Sequence, residues 1–395
     1  MTEVDSRLFS REEVRSIIGT SSVLGLRMLG MAMVLPVFTL FSGQLAGANH
    51  FLSGLALGAY GLTQAITQVP LGRWSDRLGR KPVVLICLSI FCGASVLAAL
   101  ADNIYLLIFA RLLQGAGAIS SVAYAWIADA IEENRRNRAM AYIGMGIGIA
   151  LAFGLIVGPI IGGTIGLRSL FWICALTSFL SILYMILFME DPPRKEPHRE
   201  IDFDSAQFRS VLGNRDLWAL YLCGFLSYTT LTAVFFMLPL LLQNYLEPVN
   251  FWMLLLPLSA LGMVTMISSS RLADQGKTRT VLMVGFFLVI FTGTSLIFSG
   301  SYLIVYLAIF AYYLGYSILE PILATAVTKF ARPDIRGTTV GVFNMSQALG
   351  NFFGGILAGG LYFLHRELLF GAIAFIGFLG LLAILSLRLK HKPGF

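Results

Sequence analysis

Three charged residues that lie inside long apolar stretches are the first candidates for chemistry in this 395-residue chain. They are Glu320, Arg27 and Arg111. A charged side chain in the hydrocarbon core of a membrane is costly, and such a residue marks a functional site by default. Burial also disfavours the ionised form of a carboxylate, so a buried acid can bind and release protons near neutral pH. We therefore predict that Glu320 is a proton-binding group.

Each of these charged residues has a simpler explanation that the sequence leaves open. Glu320 and Arg27 could form a structural ion pair, although a proton or a substrate could still compete for that pair. Arg111 lies about two turns from the outer end of its stretch, and its side chain could extend to the membrane surface instead.

A polar segment at residues 72–81 separates two apolar stretches and contains four basic residues and one acid. Its glycines, Gly72 and Gly79, allow the backbone to turn tightly between two helices. The acid, Asp76, is suited to the positive N-terminal end of another helix, which we expect to begin near Gly337. A basic loop that only fixes the orientation in the membrane is the simpler alternative, but it would not need the glycines and the acid.

Asp129 ends the fourth apolar stretch and is a natural partner for Arg77 or Arg80 of the polar segment. A nearby arginine favours the charged form of a carboxylate, and the two groups can form an ion pair. We also take Asp129 as the second candidate for the proton-coupling group, after Glu320.

A glycine pattern in the fifth apolar stretch consists of Gly154, Gly158, Pro159, Gly162 and Gly163. Glycines at every fourth position form a smooth stripe on a helix, which permits close packing against a neighbour. The proline removes one backbone donor and bends the helix. Ordinary glycine-mediated packing is the simpler reading of this pattern.

Aromatic and methionine side chains in several apolar stretches are candidates for a substrate cavity. Such surfaces suit poorly defined hydrophobic ligands because they are large, polarisable and adaptable. The predicted cavity residues are Met31, Tyr124, Tyr228, Phe235, Tyr312 and Tyr316.

The composition shows which elements must position these residues. Hydrophobic residues make up 57% of the chain and charged residues 12%, and the mean hydropathy is +0.80. A soluble globular chain carries about 25% charged residues, so the chain is predicted to be an all-α integral membrane protein. Stretches long enough to cross the roughly 30 Å hydrocarbon core predict twelve transmembrane helices, at residues 14–41, 51–71, 82–100, 104–130, 139–165, 169–189, 216–245, 249–271, 279–300, 302–330, 337–364 and 367–388.

The distribution of basic residues predicts the orientation. An even number of spans places both termini on one side, and all but four of the 28 Lys and Arg residues lie on that side. The exceptions are Arg27, Arg111, Arg168 and Arg366. This bias predicts that both termini are cytoplasmic. The net charge of +7 follows from this topology, and we expect no nucleic-acid partner because the basic residues form no patch with aromatic residues between them.

The chain carries signs of an internal duplication. Three pairs of identical residues share an offset of 198 positions, namely Arg73 and Arg271, Asp76 and Asp274, and Arg138 and Arg336. Parallel repeats of this kind are known in membrane transporters. We therefore predict an N-terminal six-helix bundle at residues 1–190, a cytoplasmic linker at 191–215 and a C-terminal six-helix bundle at 216–395.

The order of residues in the 72–81 segment resembles the signature loop between helices 2 and 3 of the major facilitator superfamily. The resemblance implies two six-helix bundles that rock about a midplane site. It also implies that the loop, with Asp129, latches the cytoplasmic side when the cavity faces outward. In that family an arginine at the position of Arg111 lies near the proton route, and the glycine pattern of the fifth span resembles the motif of antiporters.

Residues 26–37, 60–65 and 137–141 further resemble YajR-type drug/proton antiporters of this superfamily. The resemblance is dense through the first five spans and thin in the second half. It implies proton-coupled export of hydrophobic or amphipathic small molecules across the bacterial inner membrane. We expect a monomer. We also expect that the soluble C-terminal domain of that type is absent, because the chain ends just past its last predicted span.

Other classes of function fit less well. A proton symporter that imports a specific metabolite is disfavoured by the antiporter-like glycines, and a non-transporting sensor by the signature loop and Glu320. An enzyme is not expected, since the four histidines are scattered and no nucleophile–base pair is visible. The four cysteines form no Cys-x-x-Cys pair, so we expect no metal site, and no cofactor other than the proton gradient.

Overall fold

The computed structural model describes residues 9–117, 119–192, 214–298, 300–331 and 336–387. Most of the predicted linker at 191–215 therefore lies outside the described residues. Within the described part the chain forms long helices, which are α1 (Arg11–Val34), α2 (His50–Leu78), α3 (Arg80–Ala99), α4 (Ile104–Ala130), α5 (Glu133–Ile165), α6 (Leu167–Phe188), α7 (Arg215–Leu242), α8 (Trp252–Leu272), α9 (Thr278–Ile297), α10 (Tyr302–Phe330), α11 (Arg336–Leu364) and α12 (Arg366–Ser386).

Shorter elements complete the described chain. A short helix at Phe38–Ser42 follows α1, a 3-10 turn at Pro248–Asn250 precedes α8, and a π-helical turn at Ala273–Lys277 joins α8 to α9. Helix α4 is made of two segments, Ile104–Ala116 and Ser120–Ala130. The regular structure of the described residues is thus helical, which confirms the predicted fold class.

Length and hydropathy identify nine candidate membrane spans among the described residues. One of them, Pro248–Ile297, covers both α8 and α9. Helices α2 and α11 are not among the nine. Both carry glycines and polar residues along their length, and this lowers their mean hydropathy. Twelve transmembrane spans therefore remain a prediction.

Polar residues just before the helices fix where several of them begin. The side-chain oxygens of Asn49, Asn103 and Asn214 accept hydrogen bonds from the first backbone N–H groups of α2, α4 and α7. Ser301 does the same for α10. Such caps satisfy donors that have no partner inside the helix, so each short loop sets the start of the helix that follows.

The same helix pair packs in parallel in both halves of the chain. In the first half, α1 lies along α5, where a Cβ on Gly154 would come within 2.8 Å of the carbonyl oxygen of Leu29. In the second half, α7 lies along α11, where a Cβ on Gly354 would lie 3.0 Å from the Cα of Thr229. Small residues thus allow equivalent helices of each half to approach closely.

The two halves meet through α2 and α11. We call the side on which α1 begins the terminal side and the opposite side the far side. Near the far side, a Cβ on Gly58 would lie 2.7 Å from the carbonyl oxygen of Phe352, and one on Gly359 would lie 2.6 Å from that of His50. Toward the terminal side, Gly72 and Gly337 of the same two helices have open space where a Cβ would be. The halves are therefore in close contact on the far side, and these two glycines are not packed against a neighbour on the terminal side.

Candidate functional site

Glu320 lies in α10 and is held by two tyrosines. The hydroxyl of Tyr228, on α7, donates a 2.8 Å hydrogen bond to Oε1, and the hydroxyl of Tyr316 donates a 3.3 Å bond to Oε2. The rings of the two tyrosines meet edge to face at 6.2 Å. Glu320 is half-buried, so its carboxylate is fixed by two donors and can still be reached from an open space.

The spacing of residues along α10 produces this arrangement. Tyr312, Tyr316 and Glu320 are four residues apart and share one face of the helix. The ring of Tyr312 stacks on that of Tyr316 at 6.3 Å, and its hydroxyl donates to Thr230 of α7 at 3.5 Å. Tyr312 is only 2% exposed. It therefore supports the ring of Tyr316 from behind.

The other predicted cavity residues have different surroundings. Tyr124, on α4 of the first half, is 39% exposed. Met31 is partly buried and packs against the hydrophobic core. Phe235 is a fully packed core residue at 6% exposure. The structure therefore gathers Tyr228 and Tyr316 around Glu320, and it places Phe235 in the core of the second half.

Arg27 is buried inside the first half. Its guanidinium donates a hydrogen bond to the hydroxyl of Tyr60 on α2 and lies 5.3 Å from the ring centre of Phe91 on α3. Its Nε has no hydrogen-bond partner among the described residues. No carboxylate of the described residues forms an ion pair with it. The alternative of an Arg27–Glu320 ion pair is therefore not seen in this structure.

Arg111 is also buried, at 3% exposure. It donates to the Oε1 of Gln114 at 2.8 Å and to the carbonyl oxygen of Ala56 at 3.3 Å. Its guanidinium lies 5.3 Å from the ring centre of Tyr60. The side chain therefore does not extend to the membrane surface, and the ring of Tyr60 has a buried cation on either side.

Tyr60 and Gln114 were not assigned roles from the sequence. Tyr60 contacts both buried arginines, and the amide of Gln114 donates to Ser95 of α3 at 2.9 Å. These residues complete a polar cluster in the first half, formed by Arg27, Tyr60, Ser95, Arg111 and Gln114. A usable signal was present, because a buried arginine needs acceptors or aromatic rings nearby.

The polar loop forms an ion-pair cluster around Arg80. The guanidinium contacts Asp76 at 2.5 Å, Asp129 at 2.7 Å and the hydroxyl of Ser75 at 2.6 Å. Gly79 has a φ of 101° between α2 and α3, a backbone conformation that glycine adopts without strain. Of the two arginines predicted to pair with Asp129, the structure shows Arg80 in that position. Asp129 therefore belongs to this cluster.

Asp76 does not contact the start of α11 among the described residues. Its side chain is 61% exposed, and Gly337, at the start of α11, has open space around it. The predicted contact between Asp76 and the start of α11 is therefore not seen among the described residues.

The glycine pattern of α5 faces two partners. Gly158 lies against the backbone of Met33 on α1, so the stripe joins two helices of the first half. Gly163 faces the second half, where an added Cβ would lie 2.5 Å from the backbone nitrogen of Val249. Pro159 lies inside α5, and Gly162 packs against Val37. The end of the pattern therefore contributes to the far-side contact between the halves.

Comparisons with known proteins agree with this geometry. The family model described as Major Facilitator Superfamily matches residues 20–355 and 276–394. The inner membrane transport protein YajR of Escherichia coli (strain K12) is 35% identical over 355 residues, which are 88% of this chain and 77% of that protein. Multidrug resistance protein 1 of Bacillus subtilis (strain 168) is 26% identical over 85% of this chain and 86% of that protein. The solved structure of a bacterial homolog to the human lysosomal transporter Spinster superposes with a TM-score of 0.75 at 16% identity, covering 96% of this chain and 95% of the other.

Proposed function

The chain belongs to the Major Facilitator Superfamily, and we propose that it exports hydrophobic or amphipathic small molecules in exchange for protons. As a member of that family it is a multi-pass membrane transporter and not an enzyme. The observation that carries the proposal is Glu320, a half-buried acid in an apolar helix, held by Tyr228 and Tyr316. The similarity to a multidrug resistance protein supports export of such molecules.

In this proposal the terminal side is the cytoplasm of a bacterial cell, and the protein acts as a monomer in the inner membrane. The distribution of basic residues supports this orientation. Because the halves are in close contact on the far side, the arrangement fits a transporter that is open to the cytoplasm. That state is the one in which an exporter takes up its substrate.

Proton binding and substrate binding compete in the proposed cycle. A proton on Glu320 favours one orientation of the two halves, and the bound substrate favours the other. Arg27 and Arg111 stabilise the first half through their contacts with Tyr60. When the halves close on the cytoplasmic side, Asp76 reaches the positive start of α11, and the cluster of Arg80 and Asp129 stabilises that closed state.

The test is transport in proteoliposomes that contain the purified protein. An amphipathic cationic dye is followed under an imposed pH gradient, and a protonophore collapses the gradient as the control. Dye movement opposite to the proton flow supports the antiporter. Movement in the same direction as the protons would replace it with a symporter, and no gradient-dependent movement of any amphipathic dye would contradict the proposed substrate class.

A further inference from the structure

The two buried arginines of the first half have no acid beside them among the described residues. Arg27 and Arg111 are 2% and 3% exposed, and none of the ion pairs that the described residues form includes either of them. A buried charge without a partner of opposite sign is costly, and buried charges in proteins are as a rule paired. The described carboxylates therefore leave two buried positive charges unbalanced.

The two arginines differ in how many acceptors they have. Arg111 donates to the side chain of Gln114 at 2.8 Å and to the carbonyl oxygen of Ala56 at 3.3 Å. Arg27 donates to the hydroxyl of Tyr60, but its Nε is buried and has no partner among the described residues. Of these two cations, Arg27 is therefore the one that still needs an acceptor.

The hydroxyl of Tyr60 also has a donor to spare. It accepts a hydrogen bond from Nη2 of Arg27, and a phenol hydroxyl can donate its own hydrogen at the same time. Among the described residues, no acceptor receives that hydrogen. The Nε of Arg27 belongs to the same guanidinium as the Nη2, so the two unused donors lie within the width of one guanidinium. A single acceptor atom can therefore receive both.

The other described contacts of Arg27 are aromatic. The carbon of its guanidinium lies 5.3 Å from the ring centre of Phe91 and 5.7 Å from that of Tyr60. Phe91 is 1% exposed, so this side of the guanidinium is closed. The face of an aromatic ring attracts a cation, but it does not cancel the charge. An anion at the Nε edge would cancel it.

We propose that a chloride ion binds in the first half, at the Nε–H of Arg27 and the hydroxyl of Tyr60. Hydrogen bonds in which donor and acceptor are both ionised are about twice as strong as neutral ones. Because the two residues are 2% and 6% exposed, the site suits a monatomic ion and not the carboxylate of a large transported molecule.

The ion would have two effects on the first half. It would reduce the unbalanced buried charge of Arg27 and Arg111 from two to one. It would also strengthen the connection between α1, which carries Arg27, and α2, which carries Tyr60. The site goes beyond the proposed function, since it includes no part of the arrangement around Glu320 and needs no transport.

The experiment measures binding of radioactive chloride to the purified full-length protein in detergent. Overnight equilibrium dialysis lets a buried ion exchange, and sodium gluconate keeps the ionic strength constant. We expect saturable binding of a single chloride per chain. Tyr60→Phe keeps the ring and removes one donor, so it should weaken binding roughly tenfold. Arg27→Gln removes the charge and should abolish binding.

The matched control is Arg168→Gln, which removes a positive charge from an exposed position of the same half. It should bind chloride like the native protein. Thermal unfolding gives a second measurement, in which chloride in place of gluconate should raise the unfolding temperature of the native protein and of the control but not of Arg27→Gln. Tyr60→Phe decides the test if Arg27→Gln fails to fold, because phenylalanine fits the same space.

Two results would overturn the site. The first is no saturable binding together with equal unfolding temperatures in chloride and gluconate, since water alone would then satisfy the Nε of Arg27. The second is binding that is unchanged in folded Tyr60→Phe, since the ion would then bind elsewhere. Glu320→Gln should bind chloride like the native protein, whether or not it transports the dye. The chloride site and the proposed transport can therefore fail independently.

Discussion

The two halves of the molecule hold charges inside the membrane in opposite ways. In the first half, Arg27 and Arg111 are 2% and 3% exposed, and Tyr60 lies between them. In the second half, Glu320 is half-buried and accepts hydrogen bonds from two tyrosines. A buried arginine that is surrounded by aromatic rings and carbonyl oxygens has no contact with solvent. An acid beside an open space, in contrast, can take up a proton. The difference supports the proposal that Glu320 works in proton coupling, and we propose a structural role for the two arginines.

The polar loops of the two halves also differ in how their charged side chains are paired. Arg80 contacts Asp76, Asp129 and Ser75 within one cluster. The equivalent loop of the second half offers Asp274, which lies 3.7 Å from Lys329, and the two side chains are 75% and 40% exposed. Exposed pairs of this kind contribute little to stability. Among the described residues, the second loop therefore shows a smaller ion-pair network than the first.

The largest expected effect is on transport by Glu320→Gln. The amide cannot take up and release a proton, so gradient-driven dye transport should fall to the level of empty vesicles. The matched control is Glu367→Gln, at the exposed start of α12, which should transport normally. Normal transport by Glu320→Gln would mean that the working acid lies elsewhere, with Asp129 next to be examined.

The next effect concerns stability. Arg111→Met removes the donor to Gln114 and leaves buried acceptors without a partner, which costs about 2–3 kcal/mol. Arg366→Met, at an exposed position, serves as the control. Thermal unfolding in detergent should show the loss for Arg111→Met and no loss for Glu320→Gln. If instead Glu320→Gln unfolds at lower temperature than Arg111→Met, the assigned roles of the two halves are reversed.

A smaller effect is expected from the tyrosines that hold the acid. Tyr228→Phe removes a 2.8 Å hydrogen bond to the carboxylate and should slow transport roughly tenfold, since bonds to charged groups are worth about 1.5–3 kcal/mol. Tyr316→Phe removes the longer 3.3 Å bond and should slow it less. Tyr245→Phe, at an exposed position, controls for the loss of a hydroxyl. Equal rates for all three variants would show that these bonds do not matter for the cycle.

The smallest expected effect compares the two loops. Asp76→Asn should shift the protein about twofold toward the state open to the cytoplasm, because an exposed acid interacts only weakly with its partners and the amide is a poorer partner for the start of α11. Asp274→Asn makes the same change in the second loop and should shift it less. Distances between spin labels across the cytoplasmic side measure both shifts, and no change in Asp76→Asn would contradict the latch.

The sequence predicts the bounds of a helix closely where the helix coincides with an apolar run. The tenth span was predicted at 302–330, and α10 is Tyr302–Phe330. The prediction for the second span ended at 71, but α2 continues to Leu78. The polar residues there remain helical because hydropathy detects the membrane core and not the end of a helix. The chain turns at Gly79, whose φ of 101° ends the helix.

Other helix ends depended on interruptions that apolarity does not reveal. The first span was predicted at 14–41, whereas α1 ends at Val34 and a separate short helix begins at Phe38. Pro36 lies between them, where it removes a backbone N–H donor and so weakens a continuous helix. The fourth span was predicted as one stretch at 104–130, and the structure divides it after Ala116.

The sequence by itself determined the class of the protein, since its apolar content leaves a membrane as the surrounding medium and its signature loop indicates the family. It also identified Glu320, Arg27 and Arg111, because a charge inside an apolar span is visible without a structure. Only the tertiary structure decided the partners. Arg27 meets Tyr60 and not Glu320, and Arg111 meets Gln114. The direction in which a side chain points depends on the rotation and packing of whole helices, and the sequence of a single helix does not contain that information.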